Sequence, residues 1–285
     1  MTYLQILILA IVQGAAEMLP VSSSAHVIIA AKLMGKKASD PDILMLIIML
    51  HTGTMFAAIA YFWKAWQRDY FSSGLKARDF LLQVAVGTIA TGIVGLGLKI
   101  VIEKVFLHGG PKAEVETLFD NILLIGGALF AVGILIIIAG IRSERTREGG
   151  EVQLPHSCII GIVQGMCLPF RGFSRSGSTI SAGLLMGLSK RKLEEYSFAL
   201  AVVLTPALIA MEGKRLLDYN KTVAHLSLGH LLTPSLVGMV FSFISGLLAL
   251  KWLSRWLESG QWKLFGFYCI LASLAVFGLH FGMGY

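Results

Sequence analysis

Two polar stretches interrupt an otherwise apolar chain. The first island, residues 13–26, contains an amide, a carboxylate, three consecutive hydroxyls and an imidazole, contributed by Gln13, Glu17, Ser22, Ser23, Ser24 and His26. The second island, residues 164–179, also opens with Gln-Gly, passes a proline and then brings two guanidinium groups among further hydroxyls: Arg171, Ser174, Arg175, Ser176, Ser178 and Thr179. Because one island offers an acid and an imidazole and the other offers positive charge, we expect them to form two halves of one site.

The composition indicates that these islands lie in a membrane protein. Of the 285 residues, 55% are hydrophobic and 14% are charged, and the mean hydropathy is +0.74; a soluble domain carries about 25% charged residues. Apolar runs of about twenty residues recur, as in polytopic helical proteins. The predicted loops carry the net charge of +7, which favours a membrane-surface bias, and the aromatic-basic pattern of a nucleic-acid module is missing. We expect a lipid bilayer as partner and no nucleic acid.

Glu17, Arg171 and Arg175 are the charged groups that the apolar segments place at membrane depth. A charge at the bilayer centre costs about 2.5–3.5 kcal/mol on insertion scales, so all three must be paired or hydrated. A purely structural ion pair between Glu17 and Arg175 would satisfy two of them but would leave the serines unexplained. His51 also interrupts an apolar segment, and it either hydrogen-bonds a neighbouring helix or supports the site from behind.

Both serine-rich runs are expected to begin a helix. The three serines after Pro20 precede the helix that continues through Val27, and Ser174, Ser176 and Ser178 take the same place in the second island. One such run is typical of helix capping. Two helix N-termini aimed at one point, each with unsatisfied N–H groups and a positive dipole end, form an anion site. Arginine beside them indicates phosphate or carboxylate, which its planar group binds through two hydrogen bonds.

The order of apolar segments predicts an all-α polytopic membrane protein built as an inverted-topology repeat. Short apolar pieces on both sides of each island predict re-entrant helical hairpins: residues 3–12 with 27–34, and 157–168 with 178–188. Three full-length transmembrane segments follow each hairpin: 43–63, 80–102 and 119–141, and then 195–211, 232–253 and 263–281. Three is odd, so the second half begins on the opposite side of the membrane. The chain is then one integral membrane domain with repeats at 1–141 and 157–285.

Lysine and arginine are more numerous in the predicted loops opposite the N-terminus than in the loops on its own side. The richer side of a multi-pass protein faces the cytoplasm. Both chain ends and the mouth of the first hairpin are therefore expected on the outer side of the membrane.

The residues of both islands carry a resemblance to a known family. The pattern Gln13-Gly-x-x-Glu17-x-x-Pro20-Val-Ser-Ser-Ser-x-His26 resembles one signature of the undecaprenyl-diphosphate phosphatase (bacitracin-resistance) family, and Gly172-Phe-Ser-Arg-Ser-Gly-Ser-Thr179 resembles the other. The likeness covers nearly the whole chain in length and segment order. Three positions depart from the family pattern: Gln13 stands where Glu is frequent, Ser24-Ala25 replaces Thr-Gly, and Arg171 replaces a proline.

The resemblance implies a membrane hydrolase that removes the terminal phosphate of undecaprenyl diphosphate. Its product, undecaprenyl phosphate, is the recycled lipid carrier of peptidoglycan synthesis, and the activity confers bacitracin resistance. The resemblance also implies the bacterial inner membrane, an active site that faces the periplasm, and a divalent cation, Mg²⁺ or Ca²⁺. No feature of the sequence predicts a homodimer, and none excludes one.

Site residues carried over from the resemblance divide into three groups. Ser23 is the expected nucleophile, a weak one without a neighbouring base; His26 would shuttle its proton, and Arg175 would neutralise the phosphate oxygens. Glu17 would hold the cation on the diphosphate or orient His26, with Gln13 as a neutral metal ligand. The expected substrate-binding residues are Ser22, Ser24, Ser174, Ser176, Thr179 and Arg171, of which Arg171 either binds phosphate or tethers the loop.

Three alternatives remain open at this point. In the first, water attacks the phosphate directly and Ser23 only binds it. In the second, the protein flips or transports a lipid phosphate through the same anion site, because inverted repeats suit alternating access. The third is a Ser–His intramembrane protease, in which two arginines would have no use. Hydrolysis in detergent, where no transport can take place, separates the enzyme from the transporter.

Overall fold

The computed structural model of the protein describes residues 1–36, 40–106, 121–145, 149–222 and 228–283. Over these residues the chain is helical, with one π-helical turn at Ile102–Phe106. The α-helices are α1 (Tyr3–Met18), α2 (Ser23–Leu33), α3 (Pro41–Asp69), α4 (Gly74–Val101), α5 (Ile122–Arg145), α6 (Leu154–Cys167), α7 (Arg175–Leu185), α8 (Lys190–Thr222), α9 (Leu228–Glu258) and α10 (Trp262–Met283).

Six of these helices, α3, α4, α5, α8, α9 and α10, are long and apolar enough to cross a membrane. They lie where the sequence predicts transmembrane segments, so the prediction of an all-α polytopic membrane protein is confirmed. Two pairs of shorter helices, α1 with α2 and α6 with α7, enclose the two islands. Among the loop residues used to predict orientation, Lys37, Lys112 and Arg147 lie outside the described residues.

The chain forms two compact units that do not follow the two halves of the sequence. The first unit consists of Met1–Met18, Ser23–Trp63 and Ala201–Leu253. The second consists of Leu19–Ser22, Lys64–Leu200 and Ser254–Tyr285. Each unit therefore combines segments from both predicted repeats, and the division at 1–141 and 157–285 stays a prediction.

In the first unit, α1, α2 and α3 share an apolar core of buried side chains that includes Ile6, Leu9, Val27, Ile43, Leu46 and Leu50. On its other side α1 packs closely against α9. A Cβ atom on Gly14 would lie 2.6 Å from the Ser242 carbonyl oxygen, and Ser245 Oγ donates to the carbonyl oxygen of Ile11 at 2.9 Å. Small residues allow such close approach of helix backbones in membrane proteins.

In the second unit, α6 packs on α4 in the same manner. A Cβ atom on Gly165 would lie 2.8 Å from the Thr91 carbonyl oxygen. Thr91 Oγ1 donates to the carbonyl oxygen of Gly161 at 3.0 Å, and Gln164 Nε2 donates to Thr91 Oγ1 at 3.1 Å. The glycine of each Gln-Gly pair thus lies where a short helix packs closely on a spanning helix.

Substituting Gly165 by alanine is expected to destabilise the second unit. The added methyl would meet a backbone oxygen and the Val94 Cβ at 2.8 Å, and overpacking of this kind costs about 1–3 kcal/mol. Gly97→Ala on α4 is the matched control, because its methyl would point into open space and alanine is the better helix former. Thermal unfolding in detergent should show a lower midpoint for Gly165→Ala alone; equal midpoints for the two variants would refute the packing.

Two carboxylates near the start of α8 are buried, which the sequence did not lead us to expect. Helix α8 begins at Lys190, before the predicted start at residue 195, and Glu194 and Glu195 near its start are 4% and 2% exposed. Ser254 Oγ donates to Glu194 Oε1 at 2.6 Å, and Arg191 Nε donates to Glu195 Oε1 at 3.0 Å. Each of these two carboxylates thus accepts a hydrogen bond in its buried position.

Candidate active site

The first island is a helix–turn–helix whose turn is tight. Helix α1 ends at Met18 because Pro20 cannot continue it. Ser22 has a φ of 68°, and among the described residues it is the one non-glycine residue with positive φ. Strained backbone of this kind is typical of functional sites. The chain then reverses, and α2 begins at Ser23.

Glu17 is the hydrogen-bond acceptor at the centre of the first island. Ser23 Oγ donates to Glu17 Oε2 at 2.5 Å, and Gln13 Nε2 donates to the same oxygen at 3.1 Å. Gln13 and Glu17 lie one helical turn apart and therefore on one face of α1. The Gln13 amide nitrogen also lies 3.1 Å from His51 Nδ1 on α3.

The Ser23–Glu17 contact identifies the group that is placed to take the serine proton. A hydroxyl that donates to an ionised carboxylate over such a distance makes a strong, charge-assisted hydrogen bond. A base within hydrogen-bond reach is what a serine needs to become a nucleophile. Glu17 is therefore a candidate for the base, a role that the sequence analysis gave to His26.

His26 lies on α2, one turn after Ser23 and half-buried. This places it on the same face of the helix as Ser23, and its role as proton shuttle stays a prediction. Ser24 is half-buried and Ser22 is buried in the turn. Both stay predictions as substrate-binding residues.

The second island repeats the helix–turn–helix arrangement. Helix α6 ends at Cys167, and the turn passes through Gly172, whose φ is 104°. Only glycine adopts this backbone readily, and a Cβ there would also lie 2.5 Å from the Ile125 carbonyl oxygen. Helix α7 begins at Arg175, and Ser174 caps it because its Oγ accepts from the Gly177 N–H at 3.2 Å.

The hydroxyls of the second island are buried and make hydrogen bonds within the protein. Ser178 Oγ donates to the Ser174 carbonyl oxygen at 2.7 Å. Thr179 Oγ1 donates to the Arg175 carbonyl oxygen at 2.9 Å and lies 2.7 Å from Ser197 Oγ on α8. These bonds fix the first turn of α7 in place. Ser174, Ser176 and Thr179 as substrate ligands stay predictions.

The two arginines of the second island are both half-buried. Arg171 lies in the turn, and Arg175 occupies the first position of α7. The Arg175 guanidinium lies 5.9 Å from the ring centroid of Phe198, which is 1% exposed. This cation–π contact restrains the guanidinium.

The turn between α1 and α2 belongs to the second unit. Ser176 Oγ donates to the Leu19 carbonyl oxygen at 3.4 Å, and Cys269 Sγ donates to the Pro20 carbonyl oxygen at 3.4 Å. Helices α7 and α10 therefore hold this turn. In the sequence, Glu17 precedes the turn and Ser23 follows it directly.

Comparison with known proteins places the chain in a family. The family model described as bacitracin resistance protein BacA matches residues 6–275. The chain belongs to the BacA family. Undecaprenyl-diphosphatase 2 of Acinetobacter baylyi is 54% identical over 98% of both chains. The proteins named undecaprenyl-diphosphatase of Parabacteroides distasonis and Korarchaeum cryptofilum are 33% and 32% identical over 96% of this chain and 97% and 98% of their own lengths.

The match to BacA includes both islands in full, so the resemblance inferred from the two motifs is confirmed for the whole chain. Two residues that contact the candidate site residues lie outside both motifs. His51 drew attention because it interrupts an apolar segment, although nothing linked it to Gln13. Phe198 carried no signal, because an aromatic residue in an apolar helix is ordinary.

A divalent cation fits the first island only if the substrate supplies most of its ligands. Among the described residues there is no group of three or more His, Cys, Asp or Glu side chains that could hold a metal. Glu17 offers a carboxylate and Gln13 an amide. Mg²⁺ is commonly bound by one or two carboxylates together with substrate phosphates and water. The donor set suits that mode rather than a cage made by the protein alone.

Proposed function

We propose that this chain hydrolyses undecaprenyl diphosphate to undecaprenyl phosphate and inorganic phosphate. Relatives named undecaprenyl-diphosphatase align over almost its whole length. The observation that carries the proposal is the hydrogen bond from Ser23 Oγ to Glu17 Oε2 at 2.5 Å. This bond places the Ser23 hydroxyl, at the start of α2, within reach of the carboxylate that would accept its proton. The reaction returns the lipid carrier to peptidoglycan synthesis and confers resistance to bacitracin.

Ser23 and Glu17 carry out the first step. Ser23 Oγ attacks the terminal phosphorus while its proton passes to Glu17, and the bond to the bridging oxygen breaks. Undecaprenyl phosphate leaves and a phosphoserine forms. Water then attacks the phosphoserine, inorganic phosphate departs and the serine regains a proton. His26, one turn from Ser23, relays protons in this second step.

The second island binds the transferred phosphate. Arg175 carries the positive charge that offsets the charge on the phosphate oxygens, and a guanidinium binds two such oxygens at once. Arg171 and the N-terminus of α7 add to the positive electrostatic potential around the phosphate. Ser22, Ser24, Ser174, Ser176 and Thr179 contribute hydroxyls or shape the two turns.

Glu17, with Gln13 beside it, would hold a divalent cation, Mg²⁺ or Ca²⁺. When bound, it neutralises charge on the diphosphate and favours departure of the leaving group. Glu17 Oε2 accepts from Ser23, so the other carboxylate oxygen would be the one available to the cation.

Two re-entrant hairpins in an inverted repeat account for the packing. Gly14 of the first hairpin packs on α9, the middle spanning helix of the second half, and Gly165 of the second hairpin packs on α4, the middle spanning helix of the first half. A reciprocal exchange of this kind is what a pseudo-twofold axis produces. The asymmetry of lysine and arginine supports an active site on the periplasmic side of the inner membrane.

Glu17→Gln is expected to lower phosphate release at least about 10²-fold, the usual contribution of a positioned base. The amide keeps the size of the side chain but cannot take the serine proton. Glu258→Gln is the control, since Glu258 is exposed at the end of α9. Initial rates on undecaprenyl diphosphate in detergent, with and without EDTA, measure the effect.

The same assay tests the proposed function itself. Formation of undecaprenyl phosphate by the purified protein in detergent, and its loss with EDTA, is the expected result. Well-folded protein that releases no phosphate, yet moves lipid phosphate across vesicle membranes, would replace the phosphatase by a transporter.

A further inference from the structure

His51 lies on α3 next to the proposed base. Its side chain is 19% exposed, and its Nδ1 lies 3.1 Å from Gln13 Nε2 and 3.8 Å from Glu17 Oε2. The neighbouring backbone packs closely on α9: Ser242 Oγ donates to the Leu50 carbonyl oxygen at 3.0 Å, and a Cβ on Gly53 would lie 2.3 Å from the Met239 carbonyl oxygen. The imidazole therefore extends from a closely packed part of the first unit.

The orientation of the Gln13 amide follows from what its neighbours can do. An ionised carboxylate only accepts hydrogen bonds, so the Gln13 atom that faces Glu17 must be the NH₂ group. That same nitrogen faces His51 Nδ1 at 3.1 Å. Nδ1 is then an acceptor, and the imidazole carries its proton on Nε2. Each hydrogen of the amide has its own acceptor.

Two acceptors orient an amide better than one. With Glu17 alone as acceptor, the Gln13 side chain can pivot about a single hydrogen bond. With His51 as the second acceptor, the amide cannot pivot, and its hydrogen bond to Glu17 Oε2 keeps its direction. That oxygen is also the acceptor for Ser23, so its direction determines the alignment of base and nucleophile.

We propose that His51 is a positioning residue for the phosphatase reaction and that it acts through Gln13 to orient Glu17 toward Ser23. The proposal rests on the role proposed above for Glu17. A histidine that merely ties α3 to α1 would contribute to folding but would not affect the chemical step selectively. The two roles therefore predict different kinetics.

His51→Leu and His51→Asn form a near-isosteric pair that separates the two roles. Asparagine can place an oxygen acceptor where Nδ1 lies, whereas leucine places a methyl group there. We expect His51→Leu to lower kcat roughly 10-fold, the lower end of the range for groups that orient the ligands of a reactive site. KM should not change, because the loss concerns the transition state. His51→Asn should restore most of the rate.

A double-mutant cycle with Gln13→Met tests the route through the amide. Gln13→Met removes both donated hydrogens and should lower kcat at least as much as His51→Leu. In the Gln13→Met background, His51→Leu should cause no further loss, because partners in one chain of contacts are not additive. Gln13→Met also keeps the test open if His51→Leu does not fold.

The following results would overturn or narrow the proposal. Wild-type kcat in His51→Leu or in Gln13→Met overturns the proposal. Equal impairment of the leucine and asparagine variants, with a lower thermal midpoint for both, assigns His51 to folding. An undiminished loss in the Gln13→Met background means that His51 acts on Glu17 directly. Full activity of Glu17→Gln would remove the base and this proposal together, whereas an inactive Glu17→Gln with a normal His51→Leu would remove only this proposal.

Discussion

Ser23→Ala is expected to reduce phosphate release from undecaprenyl diphosphate by at least about 10³-fold, as for other hydrolases that lose their nucleophile. Ser23 is the hydroxyl that donates to Glu17, and alanine leaves the carboxylate with nothing to activate. The initial rate of phosphate release by purified protein in detergent is the measurement.

Ser72→Ala removes an exposed hydroxyl from the loop before α4 and is the matched control. Its rate should equal that of the wild type. Substantial turnover by Ser23→Ala would show that water attacks the phosphate directly and that Ser23 only binds. The tight turn at Ser22, with its positive φ, would then position Ser23 only for binding the phosphate.

Arg175→Ala is expected to lower the same rate at least about 10²-fold, the usual effect of removing one preorganised electrostatic group from an active site. Arg175 is half-buried at the first position of α7, with its guanidinium restrained over Phe198. Arg175→Lys should recover part of the rate, because lysine keeps the charge but loses the planar fork.

Arg78→Ala controls for the loss of a positive charge, since Arg78 is an exposed arginine beside Asp79. It should leave the rate unchanged. Near-normal turnover by Arg175→Ala, with an unchanged thermal midpoint, would refute the role of Arg175 in phosphate binding. A lowered midpoint with normal turnover would instead assign Arg175 to folding.

The helices and both islands could be predicted from the sequence because a membrane chain separates polar from apolar residues sharply. The helix ends could not be placed as well. Helix α3 extends to Asp69, beyond the predicted end at residue 63. Its last turns are held by contacts from distant residues, such as the bond from Lys192 Nζ to Asp69 Oδ2 at 2.8 Å.

The hydrogen-bond partners of the site residues could not be predicted, because these contacts join residues that no local sequence pattern connects. The resemblance implied that His26, three residues after Ser23, takes the serine proton. The tight turn at Ser22 instead leaves Ser23 donating to Glu17, six residues earlier in the sequence. The link from Gln13 to His51 joins residues 38 positions apart. Such contacts arise from helix packing, which periodicity alone does not specify.

Trapping the phosphoenzyme tests the covalent mechanism most directly. Wild-type protein would be mixed with undecaprenyl diphosphate labelled in its terminal phosphate, quenched in acid within one turnover and mapped by peptide. A covalent mechanism predicts label on the peptide that contains Ser23, as phosphoserine, and none there in Glu17→Gln or Ser23→Ala. Label found only in inorganic phosphate, together with continued phosphate release by Ser23→Ala, would contradict it.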